Sequence, residues 1–103
     1  MKFQWIAAVV IAAAPALVAA QGQDALNMRS LAATCASCHG TNGRAAEGSA
    51  VPSLAGTPSA QMIAQMAAFK AGTRSATVMH QLSKGYTDAQ IVQLADYFAA
   101  QQR

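Results

Sequence analysis

Large aromatic side chains and charged groups are both scarce in this chain of 103 residues. Aromatic residues make up 6% of the sequence, with a single Trp, and charged residues make up 11%. The hydrophobic fraction of 53% consists largely of small side chains, above all alanine. A chain this short buries little apolar surface, so a core of protein side chains alone would be thin. One small domain is expected, and its core needs a further apolar component.

Runs of charge of either sign are also missing. The net charge is +3, and the Lys and Arg residues are scattered singly with no basic stripe. This pattern excludes the electrostatic footprint of a nucleic-acid-binding protein, and we expect no nucleic acid partner. Residues 21–103 contain no internal repeat and no low-complexity tract, which agrees with a single domain.

The chain has only two cysteines, so it has no disulfide framework. Both lie in Cys35-Ala36-Ser37-Cys38-His39, which reads C-x-x-C-H, the attachment sequence of a c-type haem. Thiols three positions apart lie on one face of a helical turn and reach the two vinyl groups of one porphyrin edge. The histidine that follows supplies a strong axial nitrogen ligand to the iron. We therefore predict one covalent haem c on Cys35 and Cys38, with His39 as an iron ligand.

Three other uses of these cysteines are weaker. A thioredoxin-like redox pair needs a strand-rich βαβ context, which the sequence does not have. A zinc site of Cys35, Cys38, His39 and His80 would use adjacent residues on one tetrahedral ion, which is poor geometry. A disulfide between the two cysteines would close a very small loop and stabilise little.

The N-terminus has the pattern of a secretory signal peptide. Met1-Lys2 is basic, an apolar run follows, and small side chains end it at Ala20. We predict a cleaved signal peptide at 1–20 and a domain at 21–103, located in the periplasm, where bacteria attach haem to C-x-x-C-H. The alternative is an uncleaved membrane anchor, because the run is close to spanning length. After cleavage no stable membrane insertion is expected.

Helical periodicity and capping residues predict an all-α fold, since no stretch has the pattern of a useful strand. The predicted helices run from about Ala25 to Cys35 with Asp24 as N-cap, from Thr57-Pro58 to Gly72, through one turn at His80–Lys84, and from the capping box Thr87–Gln90 to the C-terminus. The apolar stripes are Met62, Ile63, Met66 and Phe69 on the second long helix, and Ile91, Leu94, Ala95 and Phe98 on the last.

A haem iron in an electron carrier needs a sixth ligand, and Met79 is the preferred candidate. It lies in a turn-like segment between two helices, where loop geometry can direct a side chain inward. A Met thioether favours ferrous iron and raises the potential, whereas His80 would give a bis-histidine haem of lower potential. Met62 and Met66 are spaced i, i+4 on an apolar face, which is more typical of core packing. These alternatives stay open.

Taken together, these residues resemble the small monohaem class I c-type cytochromes over essentially all of residues 21–103. The segments that carry the resemblance are Cys35–Gly40, Pro52–Gly56, Phe69–Arg74, Met79, Thr87–Ile91 and Leu94–Phe98. It implies three to four helices wrapped around one covalent haem, with Met79 as the distal ligand. It also implies that the Pro52 carbonyl accepts a hydrogen bond from the His39 ring, which fixes its orientation.

A narrower resemblance is to the cytochrome subunits of flavocytochrome c sulfide dehydrogenases, through Thr77–His80 and Lys84–Asp88. In those complexes a flavoprotein carrying FAD oxidises sulfide and passes electrons singly to the cytochrome. The implied function is a periplasmic monohaem electron carrier that accepts electrons from such a flavoprotein. His80 departs from the small residue expected after the ligand Met. The alternative is a free-standing soluble carrier between respiratory or photosynthetic complexes.

With His39 and Met79 filling both axial positions, no substrate reaches the iron, so we expect electron transfer rather than catalysis by this chain alone. The competing class is an enzyme or sensor with a labile sixth ligand. Other redox proteins would meet an exposed haem edge. Lys70, Arg74 and Lys84 are candidates for the rim of that surface or for propionate contacts, although ordinary solvated side chains are equally expected.

Overall fold

The structure is a computed structural model that describes the backbone of residues 4–103 and the side chains of residues 19–103. Within this part the chain forms five α-helices and two 3-10 turns, with no strand. The helices are α1 (Gln4–Ala33), α2 (Ala36–His39), α3 (Ser59–Ala71), α4 (Met79–Leu82) and α5 (Asp88–Ala99), and the 3-10 turns are Thr41–Gly43 and Ser83–Gly85. The all-α prediction is confirmed, and since α2 and α4 are single turns, three long helices carry the architecture.

Helix α1 is longer than predicted at its N-terminal end. It begins at Gln4 and passes through Asp24, which therefore does not act as the N-cap. The alanine-rich sequence has high helix propensity, which accounts for the continuation. Cleavage after Ala20 stays a prediction, and residues 1–3 of the predicted signal peptide lie outside the described residues. No helix in the described part is both long and apolar enough to cross a membrane.

The core lies where α5 packs against both α1 and α3. Its buried cluster consists of Ala32, Met62, Leu94, Ala95 and Phe98. The α5 stripe predicted from helical spacing is entirely buried, and on α3 Ile63 and Met66 are half-buried beside Met62. Phe98 is only 1% exposed, and burial of a side chain of this size contributes roughly 1.5–3 kcal/mol.

The helix ends follow local sequence signals. Thr87 and Gln90 form the predicted capping box: the Gln90 backbone N–H donates to Thr87 Oγ1 at 3.1 Å, and the Thr87 N–H donates to Gln90 Oε1 at 2.9 Å. Helix α3 ends at Gly72, whose φ of 75° is the left-handed conformation of a glycine C-cap. Pro58 is the N-cap of α3 rather than its first helical residue, a difference of one position.

An irregular loop, residues 44–58, connects the first 3-10 turn to α3 and passes close to α2. The Gly43 carbonyl accepts the N–H groups of Leu54 and Ala55 at 2.7 and 3.1 Å, and the Gly56 N–H donates to the Phe98 carbonyl at 2.9 Å. A Cβ at Gly43 would lie 2.8 Å from the Phe98 ring, so glycine permits this close packing. The loop is thereby held against the end of α5.

Candidate functional site

The C-x-x-C-H sequence forms a turn of helix directly after α1. Cys35 is the N-cap of α2 with helical backbone angles, and its carbonyl accepts the His39 N–H at 2.9 Å. Neither Cys35 nor Cys38 is in a disulfide; the first is half-buried and the second exposed. Gly40 ends the turn at a φ of 85°, where a Cβ would overlap the Arg44 carbonyl. Both thiols therefore lie on one helical turn, the arrangement that attachment to a single porphyrin edge needs.

The Cys35 thiol lies among hydroxyl groups. Thr34 Oγ1 is 3.9 Å from Cys35 Sγ and 2.7 Å from the hydroxyl oxygen of Tyr86. Burial raises the pKa of the Cys35 thiol, and the hydrogen bonds of Thr34 and Tyr86 partly oppose this rise. Thr34 and Tyr86 thus belong to the surroundings of the attachment turn.

The His39 imidazole is buried and directed by the loop. Its exposed fraction is 8%, and Nδ1 lies 2.6 Å from the Pro52 carbonyl oxygen. A carbonyl only accepts hydrogen bonds, so Nδ1 carries a proton and Nε2 is the ring nitrogen left for a metal. An imidazole whose other nitrogen is anchored by a backbone carbonyl is a common arrangement for a metal ligand. The hydrogen bond implied by the class I resemblance is present, while the role of His39 as an iron ligand stays a prediction.

Met79 is the first residue of α4 and is half-buried. Helix α4 packs against α3 and the 3-10 turn Ser83–Gly85, whereas α2 packs against α1 and the turn Thr41–Gly43. Met79 and His39 are therefore carried by different supports, and the structure joins Cys35, Cys38, His39 and Pro52 more directly than it joins any of them to Met79. Met62 is buried in the core and Met66 packs beside it, as expected of core residues.

His80 is half-buried, and its Nδ1 is a buried atom without a hydrogen-bond partner among the described residues. Its carbonyl accepts the hydroxyl of the fully buried Ser83 at 3.5 Å. No group of three or more His, Cys, Asp or Glu side chains converges as a metal site in the described part of the chain. The zinc alternative with His80 thus has no assembled ligand set here.

The three cations considered for a docking rim differ in their contacts. Lys70 Nζ donates to the Tyr86 carbonyl at 2.6 Å and to the Asp88 carboxylate at 3.2 Å. The Arg74 guanidinium lies 4.9 Å from the centre of the Phe69 ring, a cation–π contact. Lys84 is exposed. Lys70 and Arg74 are thus engaged within the fold, which leaves Lys84 the best placed of the three for a partner.

Reasoning from the sequence missed the hydroxyl groups that fasten this site to the rest of the fold. Thr34 and Tyr86 are 52 positions apart, and Tyr97, whose hydroxyl donates to Asn42 Oδ1 at 2.7 Å, is 55 positions from its partner. No local sequence pattern predicts contacts between residues this far apart in the chain. Asn42 has a positive φ of 55°, and its Asn identity was the one available signal of an unusual backbone.

Comparison with known proteins gives a consistent result. The family model for cytochrome c matches residues 19–101. The cytochrome subunit of sulfide dehydrogenase of Chlorobaculum tepidum is 40% identical over 68 residues, which are 66% of this chain and 60% of that protein. The thiosulfate dehydrogenase electron acceptor of Thiomonas intermedia is 35% identical over 68 residues, 66% of this chain and 31% of that protein. Cytochrome c-552 of Acidithiobacillus ferridurans is 38% identical over 66 residues, which are 64% of this chain and 28% of that protein. The matched part spans less than two thirds of the length of each relative.

Proposed function

The chain belongs to the cytochrome c family, and on that premise we propose that it is a monohaem carrier of single electrons. Membership of the family implies a covalently bound haem c, and the chain has one C-x-x-C-H sequence for it. The observation that carries the proposal is the buried His39 imidazole, whose Nδ1 donates to the Pro52 carbonyl at 2.6 Å next to Cys35 and Cys38. This arrangement leaves Nε2 as the ligating atom.

Each site residue has one task in this proposal. Cys35 and Cys38 attach the haem through thioether bonds, and His39 Nε2 binds the iron. Pro52 fixes the plane of the imidazole and, by accepting the Nδ1 proton, makes Nε2 more basic. Met79 supplies the sixth ligand, a neutral thioether that favours ferrous iron. When bound, the haem supplies an iron that alternates between ferric and ferrous states.

The protein itself contributes no catalytic group in this function. With His39 and Met79 as permanent ligands, the chain keeps substrates away from the iron and confines its part to positioning, potential tuning and docking. Lys84, exposed next to the segment that carries Met79, is a candidate contact for an acidic partner at that edge.

For the partner, we propose a flavoprotein that carries FAD and oxidises sulfide. Two observations support it: the identity of 40% with a protein named as the cytochrome subunit of sulfide dehydrogenase, and the resemblance of Thr77–His80 and Lys84–Asp88 to such subunits. The similarity to a protein named as a thiosulfate dehydrogenase electron acceptor favours the second candidate, a free carrier that serves a different dehydrogenase.

The proposed location is the periplasm, after removal of residues 1–20. The support is the pattern of a basic start, an apolar run and small residues at Ala20. Mass measurement of the protein purified from its host tests this, since an N-terminus at Gln21 is expected. An intact Met1 on the mature protein would contradict it.

The test of function is a visible spectrum, oxidised and reduced, of the protein purified from its own host without denaturant. Sharp low-spin c-type bands are expected. Flavin absorbance from a larger co-purifying chain would support the subunit function, and sulfide should then reduce the haem. The free carrier would be favoured by the same bands from a single small chain whose haem is not reduced when sulfide and the flavoprotein are added. Absence of haem bands would refute the whole proposal.

A further inference from the structure

A cleft of about 440 Å³ opens on the side of the loop 44–58 that meets the C-terminal end of the chain. Its lining residues are Arg44, Ala45, Ser53, Ala55, Thr57 and Arg103. Cys35, Cys38, His39 and Met79 do not line it. Two guanidinium groups and two hydroxyl groups facing one space form a donor-rich surface.

Both arginines are anchored by hydrogen bonds to backbone carbonyls. Arg44 Nε donates to the Gln102 carbonyl at 2.7 Å, and Arg103 Nη2 donates to the Gly56 carbonyl at 3.4 Å. The Arg103 side chain lies directly over Gly56, where a Cβ would be 2.7 Å from Arg103 Cγ and 2.9 Å from Nε. A guanidinium has five N–H donors, so each keeps most of its donors after one bond. The short bond fixes Arg44 at the cleft, and the longer contact holds Arg103 there more weakly.

Among the described residues, no acidic side chain faces the two arginines of the cleft. No Asp or Glu lines it, and the one ion pair among the described residues joins Lys70 to Asp88 elsewhere. Two positive groups that share a cleft repel each other, and an anion between them turns that repulsion into two charge-assisted attractions. Arginine suits this task because its fork of donors matches the oxygens of an anion.

We propose that this cleft binds a small tetrahedral oxyanion, a dianion of the sulfate or phosphate type. Ser53 Oγ accepts the Ala45 N–H at 2.9 Å, so its hydroxyl hydrogen is available for donation. With Thr57 on the same wall, donors approach from several directions, which suits a tetrahedral anion better than a planar carboxylate. The proposal is independent of the function proposed above.

Occupation of the cleft acts on the loop that also carries Pro52. Ser53 follows Pro52 directly, so an anion held by Ser53, Arg44 and Arg103 restrains the backbone next to the carbonyl that accepts from His39. A bound anion stabilises the folded chain according to its concentration relative to the dissociation constant.

The experiment is an NMR titration of the reduced haem-loaded protein with sodium sulfate and with sodium phosphate, each against sodium chloride at matched ionic strength. Saturable shifts are expected for the amides of Ala45, Ser53 and Thr57 with both dianions. Arg44→Gln and Arg103→Gln should each weaken binding about tenfold, the loss expected for one charge-assisted contact. Arg29→Gln is the matched control, since it removes one exposed positive charge outside the cleft and should leave the affinity unchanged.

Thr57→Val keeps the test informative if an arginine variant loses its fold. The Thr57 side chain makes no hydrogen bond in the described part of the chain, so this variant should fold normally. Its affinity for the anion is expected to fall several-fold. Shifts that rise linearly with salt, or an equal loss in Arg29→Gln, would overturn the proposal. Acetate that binds as tightly as sulfate would overturn the assignment to a tetrahedral anion.

Discussion

The two sides of the proposed haem site are built in different ways. The attachment region, residues 34–58, is fastened by backbone hydrogen bonds at Gly43 and Gly56 and by the contact of 2.6 Å between His39 and the Pro52 carbonyl. In the distal segment, residues 73–86, Val78 and Leu82 are each 51% exposed on either side of the half-buried Met79. The His39 side chain is directed by a hydrogen bond of its own, whereas the Met79 side chain has none among the described residues and is placed by the packing of α4 on α3.

This difference shows that the chain fixes side-chain orientation more tightly in the attachment region than in the distal segment. The ring of His39 is oriented by its hydrogen bond to the Pro52 carbonyl. Met79 has three rotatable bonds and a flexible thioether, so its direction depends on what packs around it. We expect variants of the attachment region to lose the cofactor, and variants of the distal segment to keep it with altered properties.

The largest effect is expected from removing the two thiols that would attach the haem. Replacing both Cys35 and Cys38 with Ser should abolish covalent haem, because no other cysteine is present. The measurement is the c-type haem absorbance of the purified protein after it has been denatured, which releases any haem that is not covalently bound. Complete loss of this absorbance is expected. Ser37→Ala, within the same turn, is the control and should retain full haem content. A colourless double variant that is still stably folded would contradict the view that the cofactor completes the core.

The second prediction tests the distal segment. Met79→Ala should keep covalent haem but lose the low-spin spectrum and bind carbon monoxide, because the thioether is removed. The reduction potential should fall by on the order of 0.1 V, since axial ligands set potentials across a range of about 0.8 V.

His80→Ala and Met66→Ala are its matched controls, and both should keep the low-spin spectrum. If His80→Ala instead produced the high-spin form and Met79→Ala did not, the ligand would be His80. The contrast between the attachment region and the distal segment would then hold with His80 in the place of Met79.

The third prediction concerns the support of the attachment region. The Phe98 ring is 1% exposed and lies close to Gly43, so Phe98→Ala, which leaves a cavity, should lower the free energy of unfolding by about 3–5 kcal/mol. Denaturant unfolding of the haem-loaded protein measures this loss. Val92→Ala, on the same helix but 44% exposed, should change stability by less than about 0.5 kcal/mol. Equal losses in both variants would show that Phe98 is not a core support.

The smallest effect is expected where the two regions meet. Tyr86→Phe removes the hydroxyl that bonds Thr34, and should cost about 0.5–1.5 kcal/mol of unfolding free energy. A double-mutant cycle with Thr34→Val should give a non-zero coupling energy. Tyr97→Phe loses a comparable bond to Asn42 and should not couple to Thr34. Strictly additive losses for Tyr86 and Thr34 would mean that this contact does not join the regions.

Prediction from sequence was most successful where the signal is local. The Thr87–Gln90 capping box, the Gly72 helix end and the buried stripe of α5 are all present, because each depends on residues within a few positions of one another. The start of α1 was wrong, since high helix propensity carried the helix past Asp24. The sequence left Lys70 open as a docking-rim candidate or an ordinary solvated side chain, and its bonds to the Tyr86 carbonyl and Asp88 had no local signal.

The sequence by itself determined the all-α class, the cofactor chemistry of one C-x-x-C-H turn and the family, because spacing along the chain decides whether thiols and imidazole share one helical turn. Only the tertiary structure decided what those groups touch. The Thr34–Tyr86 pair and the cleft between Arg44 and Arg103 bring together residues more than fifty positions apart. Such contacts follow from how α5 packs on α1 and α3, a long-range balance of burial that local sequence patterns do not encode.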